Sequence, residues 1–349
     1  MNHPEQRMAR RAARRELRLT PLALSLICLG LTPALAQNLP VPAGGGANLA
    51  PVPGGGSVEL RPGSATVMNI QQNTPRAIAE WQRFSIGNGS TVNVAQPSSA
   101  SVLLNRVVGN ELSSIAGALN ANGRVYLVNP NGVLFSSTSA VNVGGLIAST
   151  LDISNANFMA GKQLVFERAD GNGASVVNQG SIAVGAGGTV GLFGAEVSNT
   201  GSINVASGSV GLVSARKVTV DFEGDGLTKF TIPADSAATS ALVQNSGSIS
   251  ADGGRIALMA ASTAKAQVVN QTGVLRANSI EQRNGQIVLS AGVSVDGAGR
   301  DVFSANGMRV SGQIEASGGQ LAIRSGQDIT VCQPTTPAPT PPVDGGSIV

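Results

Sequence analysis

Few side chains in this sequence are equipped to make or break bonds, and the best spaced of them lie at Asp221-Phe222-Glu223-Gly224-Asp225-Gly226. Asp-x-Glu-x-Asp-Gly is how a calcium loop opens, with alternate oxygens wrapped around a hard cation by a glycine turn. Such a loop closes with a bidentate glutamate at its twelfth position, and here that position is Ile232. The run therefore reads as a turn with solvated carboxylates. The remaining acids, Asp170 and Asp252 among them, sit singly beside glycines. Glycoside hydrolysis needs two carboxylates converging on one bond, and a lyase needs Ca²⁺ with Arg or Lys beside it. Lysine occurs only at 162, 217, 229 and 265. The single histidine, His3, lies in an N-terminal segment described below, which removes Ser-His-Asp and Cys-His catalysis and the usual zinc sites. No G-x-S-x-G elbow or phosphate-binding loop is present. The sequons at Asn88-Gly89-Ser90 and Asn270-Gln271-Thr272 read as structural asparagines before they read as glycan acceptors. These residues predict no catalytic site, no metal and no cofactor. A β-helical carbohydrate-active enzyme is the alternative, to be tested by polysaccharide cleavage.

The elements that would position any site follow from composition. Glycine is abundant at 45, aromatics are 3% and charged residues 12% of 349 residues. Glycine with Val, Ile, Ser, Thr and Asn predicts many short strands joined by tight turns. So few rings offer no stacking platform for single-stranded nucleic acid. The formal charge of +3 is misleading. Residues 1–36 hold six arginines against Glu5 and Glu16, so 23 basic and 20 acidic residues become 17 and 18 beyond them. That balance leaves no basic field for a nucleic acid partner. The same segment runs from arginines through the apolar stretch 22–31 to Ala34-Leu35-Ala36, the layout of a cleavable signal peptide for the general secretory machinery. Beyond it one cysteine remains, Cys332, so no disulfide forms within the mature chain.

The interior repeats itself. One phrase, N-x-G-x-I, recurs as VVNQGSIAV (176–184), VSNTGSINV (197–205), LVQNSGSIS (242–250) and VVNQTGVLR (268–276), with a worn copy at 309–316. A second follows each, as GGTVGLFGA (187–195), SGSVGLVSA (207–215), GGRIALMAA (253–261), NGQIVLSAG (284–292) and GGQLAIRSG (318–326). From the repeat glycine to the second phrase the step is 10, 9, 9, 14 and 9 residues, the long one carrying a loop insertion at 278–283. Each unit reads as two short strands, too little for a core alone, so units must stack along an axis. Glycine is expected to supply positive-φ corners, and Asn178, Asn199, Asn245 and Asn270 to form a ladder of amides at one corner. The expected fold is all-β: a right-handed parallel β-helix, or solenoid, with an N-terminal cap and extra-helical hairpins. Residues 76–94 are expected to begin with a short helix and to plug the open end with Trp81 and Phe84. A hairpin outside the solenoid is expected at 220–232. The divisions are a signal peptide at 1–36, a Pro/Gly-rich linker at 37–56, the β-helical domain at 57–331 and a Pro-rich disordered tail at 332–349.

One motif stands apart. Tyr126-Leu127-Val128 runs into Asn129-Pro130-Asn131-Gly132 and resumes as Val133-Leu134-Phe135, a strand, a tight turn and a strand. Together with EWQRFSIGNGSTVNV (80–94), SASVLLNRVVG (99–109), SSIAGALNANGRVYLVNPNGVLF (113–135), VNVGGLIASTLDIS (141–154) and the later DFEGDGL, it resembles the secretion domain of two-partner secretion exoproteins, the filamentous haemagglutinin family. The resemblance extends to about residue 330 and is strongest to the branch of high-molecular-weight adhesins and haem–haemopexin-binding exoproteins, which share NPNGVLF.

The resemblance implies a function. Such a domain crosses the inner membrane, is recognised while unfolded by periplasmic POTRA modules of a partner outer-membrane β-barrel transporter, and folds rung by rung at the surface. Asn105, Arg106 and Val107, with Asn129, Pro130, Asn131 and Gly132, would be the secretion motifs. The product would be secreted or held at the surface of a Gram-negative bacterium as a non-catalytic adhesin, with a host-surface ligand as its target. Family members usually continue well beyond this domain, so the resemblance speaks to export more directly than to adhesion. An autotransporter passenger would need a C-terminal barrel, and no amphipathic strands follow residue 332.

Overall fold

The computed structural model describes residues 39–168, 174–222, 227–280 and 283–331. The signal-like segment, Asp170, residues 223–226 of the acidic run, Cys332 and the Pro-rich tail lie outside the described residues. Within them the chain winds as a parallel β-helix, each coil giving one strand to each of three sheets. One coil runs through Ser175–Asn178, Ser181–Val184 and Thr189–Gly194; the next runs through Glu196–Asn199, Ser202–Val205 and Ser209–Ser214. The unit is thus three strands rather than two. The N-x-G-x-I phrase is itself two strands, cut at its glycine, because the chain turns from one sheet to the next there.

The sheet containing Thr189–Gly194 is called the first sheet here, that of Ser181–Val184 the second and that of Ser175–Asn178 the third; they hold ten, ten and eight strands. Register is one-to-one, so like stacks on like. Val125, Leu146, Val190, Val210, Ile256 and Ile287 form one inward column. Leu119, Val141, Ile182, Ile203, Ile249 and Leu275 form another. Each such side chain, fully buried, contributes about 1.5–3 kcal/mol. Repetition of modest residues therefore replaces the large aromatic core that this composition lacks.

The glycine corners work differently from expectation. Gly180, Gly201, Gly247, Gly273 and Gly312 are absent from the positive-φ residues. What they need is closeness: a Cβ on Gly201, Gly247, Gly273 or Gly312 would stand 2.1 Å from the carbonyl oxygen of the preceding coil's glycine. Positive φ belongs to the other corner, ahead of the first-sheet strand, at Gly187, Gly253 and Gly318, with Ser207 at φ 52 in the equivalent place.

Residues 76–94 contain no helix. Arg76–Arg83 is a strand of the first sheet, because the period-two set Ala77, Ala79 and Trp81 points inward and outweighs the helical propensity of Ala, Glu and Arg. Trp81 and Phe84 meet edge to face at 5.2 Å inside the first coil rather than over it. The lid is supplied by the Pro/Gly-rich stretch expected to be linker and by the strand after it. Val41–Pro42 pairs antiparallel with Arg76–Arg83 and Val58–Arg61 with Val67–Gln72, and Leu39, Leu49 and Leu60 pack onto the interior.

The first sheet is buried on both faces. Its outer side chains Leu104, Tyr126, Ile147, Phe193 and Val213 lie under the helix Asn155–Ala160 and an antiparallel sheet of Leu164–Glu167, Lys217–Asp221 and Lys229–Thr231. The expected hairpin at 220–232 is the second half of that layer. Tyr126 meets Phe158 and Phe166 at 6.0 and 6.4 Å, and Phe166, Phe193 and Phe230 continue the chain at 5.3 and 5.9 Å. Gly191 and Gly211, opposite each other in register, leave room for the rings of Phe193 and Phe230.

Candidate functional site

Asn105-Arg106-Val107 ends the strand Val102–Val107 of the first sheet, and alternation sends its side chains to opposite faces. Val107 enters the core. Asn105 is buried there too and accepts the indole N–H of Trp81 at 3.0 Å, while its amide donates to the Tyr126 carbonyl at 3.3 Å. A buried indole needs an acceptor, and Asn105 provides it from the next coil. Arg106 points outward. Its Nε donates to Asp152 at 3.1 Å, one terminal nitrogen to the Asn155 side chain at 2.5 Å, and the other to the Ile153 carbonyl. Arg76 holds the far end of the same helix through the carbonyls of Phe158 at 2.7 Å and Gly161 at 3.3 Å, and burial lowers its pKa. Two arginines from neighbouring strands therefore fix both ends of a six-residue helix that would be marginal alone.

Asn129-Pro130-Asn131-Gly132 carries the chain from the first sheet to the third, so it is a corner between sheets and not a hairpin. Gly132 N–H donates to the Asn129 carbonyl at 3.1 Å, and the Asn129 side-chain oxygen accepts from Asn131 N–H at 2.9 Å, an Asx turn. Proline fits inside because its missing N–H is not needed, and Gly132 takes φ 118. The Asn129 amide then reaches back one coil, donating at 2.9 Å both to the Glu111 carbonyl and to the Ser113 hydroxyl. Asn131 donates to the Gly109 carbonyl at 2.9 Å, and Arg168 to the Pro130 carbonyl at 2.7 Å.

The two motifs thus meet. Arg106, Val107, Pro130 and Asn131 line one open groove of about 560 Å³ with Gly109, Asn110 and Asp152. Val108 and Leu112, beside it in sequence, are among the exposed large apolar side chains. The groove is uncharged on balance, since Arg106 is paired with Asp152. Its chemistry is that of a surface that binds a polypeptide by hydrogen bonds and apolar contact. Among the described residues no three His, Cys, Asp or Glu side chains are grouped to hold a metal.

The expected ladder is present with one substitution. Asn178 donates to Asn199 at 2.7 Å, Asn199 to Asn245 at 2.7 Å, and Asn245 to Gln271, not Asn270, at 2.8 Å. VVNQTGVLR has one residue more than its sister phrases before the glycine, so the position two before Gly273 is Gln271. Asn270 falls on the outer face opposite Gln244 and Arg309. The column continues as Phe135 and Ile115 below and Val310 above. A second ladder was not read from the sequence: Asn120 donates to Asn93 and Asn93 to Asn69, both at 3.1 Å, on the outer face of the second sheet. Its signal is three asparagines 24 and 27 residues apart at one position of successive alternating strands.

Comparison with known proteins agrees with this geometry. The sequence profile of the TPS secretion domain matches residues 61–302. A heme/hemopexin-binding protein of Haemophilus influenzae is 34% identical over an alignment covering 64% of this chain and 25% of that protein. Another H. influenzae heme/hemopexin-binding protein is 43% identical over 26% of this chain and 10% of its own length. The chain therefore spans about a quarter or less of the length of these relatives. The crystal structure of the HMW1 secretion domain from H. influenzae superimposes with a TM-score of 0.61 at 28% identity, covering 80% of this chain and 82% of that one. With parallel β-helix, motifs and profile agreeing over well more than half of its length, the chain belongs to the TPS, or two-partner secretion, secretion domain family.

Proposed function

We propose that this protein is exported through the periplasm to the cell surface by a dedicated outer-membrane β-barrel transporter, and that it acts there as a non-catalytic adhesin or surface factor. The family match over residues 61–302 carries this reading. Residues 1–36 hand the chain to the general secretory machinery and are removed, residues 57–331 form the exported domain, and residues 332–349 are a Pro-rich tail. Periplasmic POTRA modules of the transporter read the unfolded segment around Asn105-Arg106-Val107 and Asn129-Pro130-Asn131-Gly132. Once outside, each completed coil buries an inward row of apolar side chains and opposes return. A host-surface ligand is the target of the exposed protein. The test is release of the full chain into the medium with and without the transporter candidate encoded beside it. Release only with the transporter supports the proposal; equal release without it overturns the two-partner route.

A further inference from the structure

The two ends of the β-helix differ in kind. The N-terminal coil is closed by antiparallel strands at Val41–Pro42 and Val58–Arg61. The C-terminal coil, formed by Gln313–Glu315, Gln320–Ser325 and Ile329–Val331, has no strand beyond it among the described residues. Its apolar side chains continue columns that are shut away one coil earlier. Leu321 and Ile323 follow Ile287 and Leu289, both 0% exposed, yet are themselves 48% and 36% exposed. Ile329 and Val331 follow Met308 and Val310 and are 42% and 68% exposed. The hairpin of Val293–Val295 and Asp301–Phe303 ends nearby, its Asp301 paired to Arg324 at 2.8 Å, and it adds exposed Val302 and Phe303. Six of the nine large apolar side chains exposed among the described residues thus belong to this end. A patch of this kind marks an interaction surface, and an unpaired strand edge is a template for another chain.

We propose that this end pairs with the same end of a second copy, coil against coil about a two-fold axis. The sequence that follows Val331 holds Pro334, Pro337, Pro339, Pro341 and Pro342. Proline has no N–H to donate, so that stretch does not extend the ladder over its own last coil. Charge permits self-pairing: Arg309 and Arg324 stand against Glu315, Asp301 and Asp328, so like surfaces meet with little repulsion. An isologous contact is self-limiting, because each copy has one open end and its other end is capped.

The experiment is sedimentation of the secreted chain over a wide concentration range, beside a Leu321→Lys, Ile323→Lys variant and a Val108→Lys, Leu112→Lys control. The expected result is a doubling of mass for the wild type and the control as concentration rises, and a monomer for the terminal-coil variant. Hydrogen exchange on the unmutated chain guards against misfolding of that variant, with amides of 320–325 and 329–331 gaining protection as the dimer forms. A wild-type chain that stays monomeric, a dimer that survives the terminal-coil substitutions, or protection that appears at another surface overturns the proposal.

Discussion

Replacing Asn199 by alanine interrupts the interior amide ladder at its centre. The side chain is fully buried, accepts from Asn178 at 2.7 Å and donates to Asn245 at 2.7 Å. Its loss leaves Asn178 with only the carbonyls of Gly180 and Ser202, both at 3.4 Å, and removes the donor that satisfies the Asn245 oxygen. A buried polar group left without its partner costs about 1–3 kcal/mol, so one donor and one acceptor together cost roughly 2–5 kcal/mol. Gln271→Ala, at the ladder's end, removes the acceptor of one ladder bond and is expected to cost about half as much. Asn270→Ala is the contrast: its side-chain oxygen is buried without a partner, so its removal is expected within about 0.5 kcal/mol of neutral. A fourth protein replaces Asn178, Asn199 and Asn245 by valine and Gln271 by leucine, extending the apolar column of Ile115, Phe135 and Val310. It should be more stable than Asn199→Ala despite carrying four substitutions, since no amide is then stranded. Urea unfolding followed by far-ultraviolet circular dichroism ranks the four. Equal stability of Asn199→Ala and Asn270→Ala, or a four-fold variant weaker than Asn199→Ala, would refute the reasoning.

Gly247→Ala places a Cβ 2.1 Å from the Gly201 carbonyl oxygen, and backbone on both sides has little freedom to move. A loss of about 1–3 kcal/mol is expected, measured by the same unfolding assay, with destabilisation no greater than that of Gly89→Ala counting against the close-approach account. Tyr126, the one tyrosine, is buried and its pKa is pushed up to about 12 by desolvation, against opposing effects of Arg124 and Arg76. The folded state therefore holds the phenol proton more tightly than the unfolded state. Its contribution is fully present below about pH 10 and is lost as pH rises from there through 12, a change of about 2–3 kcal/mol. Tyrosinate absorbance should titrate late in the native protein, and Tyr126→Phe should flatten that part of the stability profile.

Much of the fold is legible because stacking makes the sequence periodic. The repeat phrases identify the solenoid, and the worn copy at 309–316 still adds a strand at Gln313–Glu315. What the period does not reveal is how many strands one phrase contains, since a corner inside N-x-G-x-I looks like continued alternation. Nor does a conserved-looking glycine say whether it serves φ or proximity; only the neighbouring coil decides that, as Gly201 and Gly247 show. The Asn270 assignment fails because the phrase was aligned on its first asparagine rather than on its glycine, which is what the geometry anchors. Arg83 opposite Val41 and Trp81 opposite Pro42 were hidden because antiparallel capping by a Pro/Gly-rich stretch leaves no repeat. The motif residues were legible by type. Their convergence on one groove was not, since it depends on Arg106 and Asn131 being brought together from different coils.

The most direct test of the account compares export of three chains in cells carrying the transporter: wild type, Asn129→Ala with Asn131→Ala, and Asn199→Ala. The ladder variant is weakened in the fold but keeps both motifs. The account predicts release of wild type and of Asn199→Ala, with the Asn129 and Asn131 double variant retained in the periplasm. Release of the double variant at the level of Asn199→Ala would contradict it, and would leave Asn129-Pro130-Asn131-Gly132 as a corner of the β-helix and nothing more.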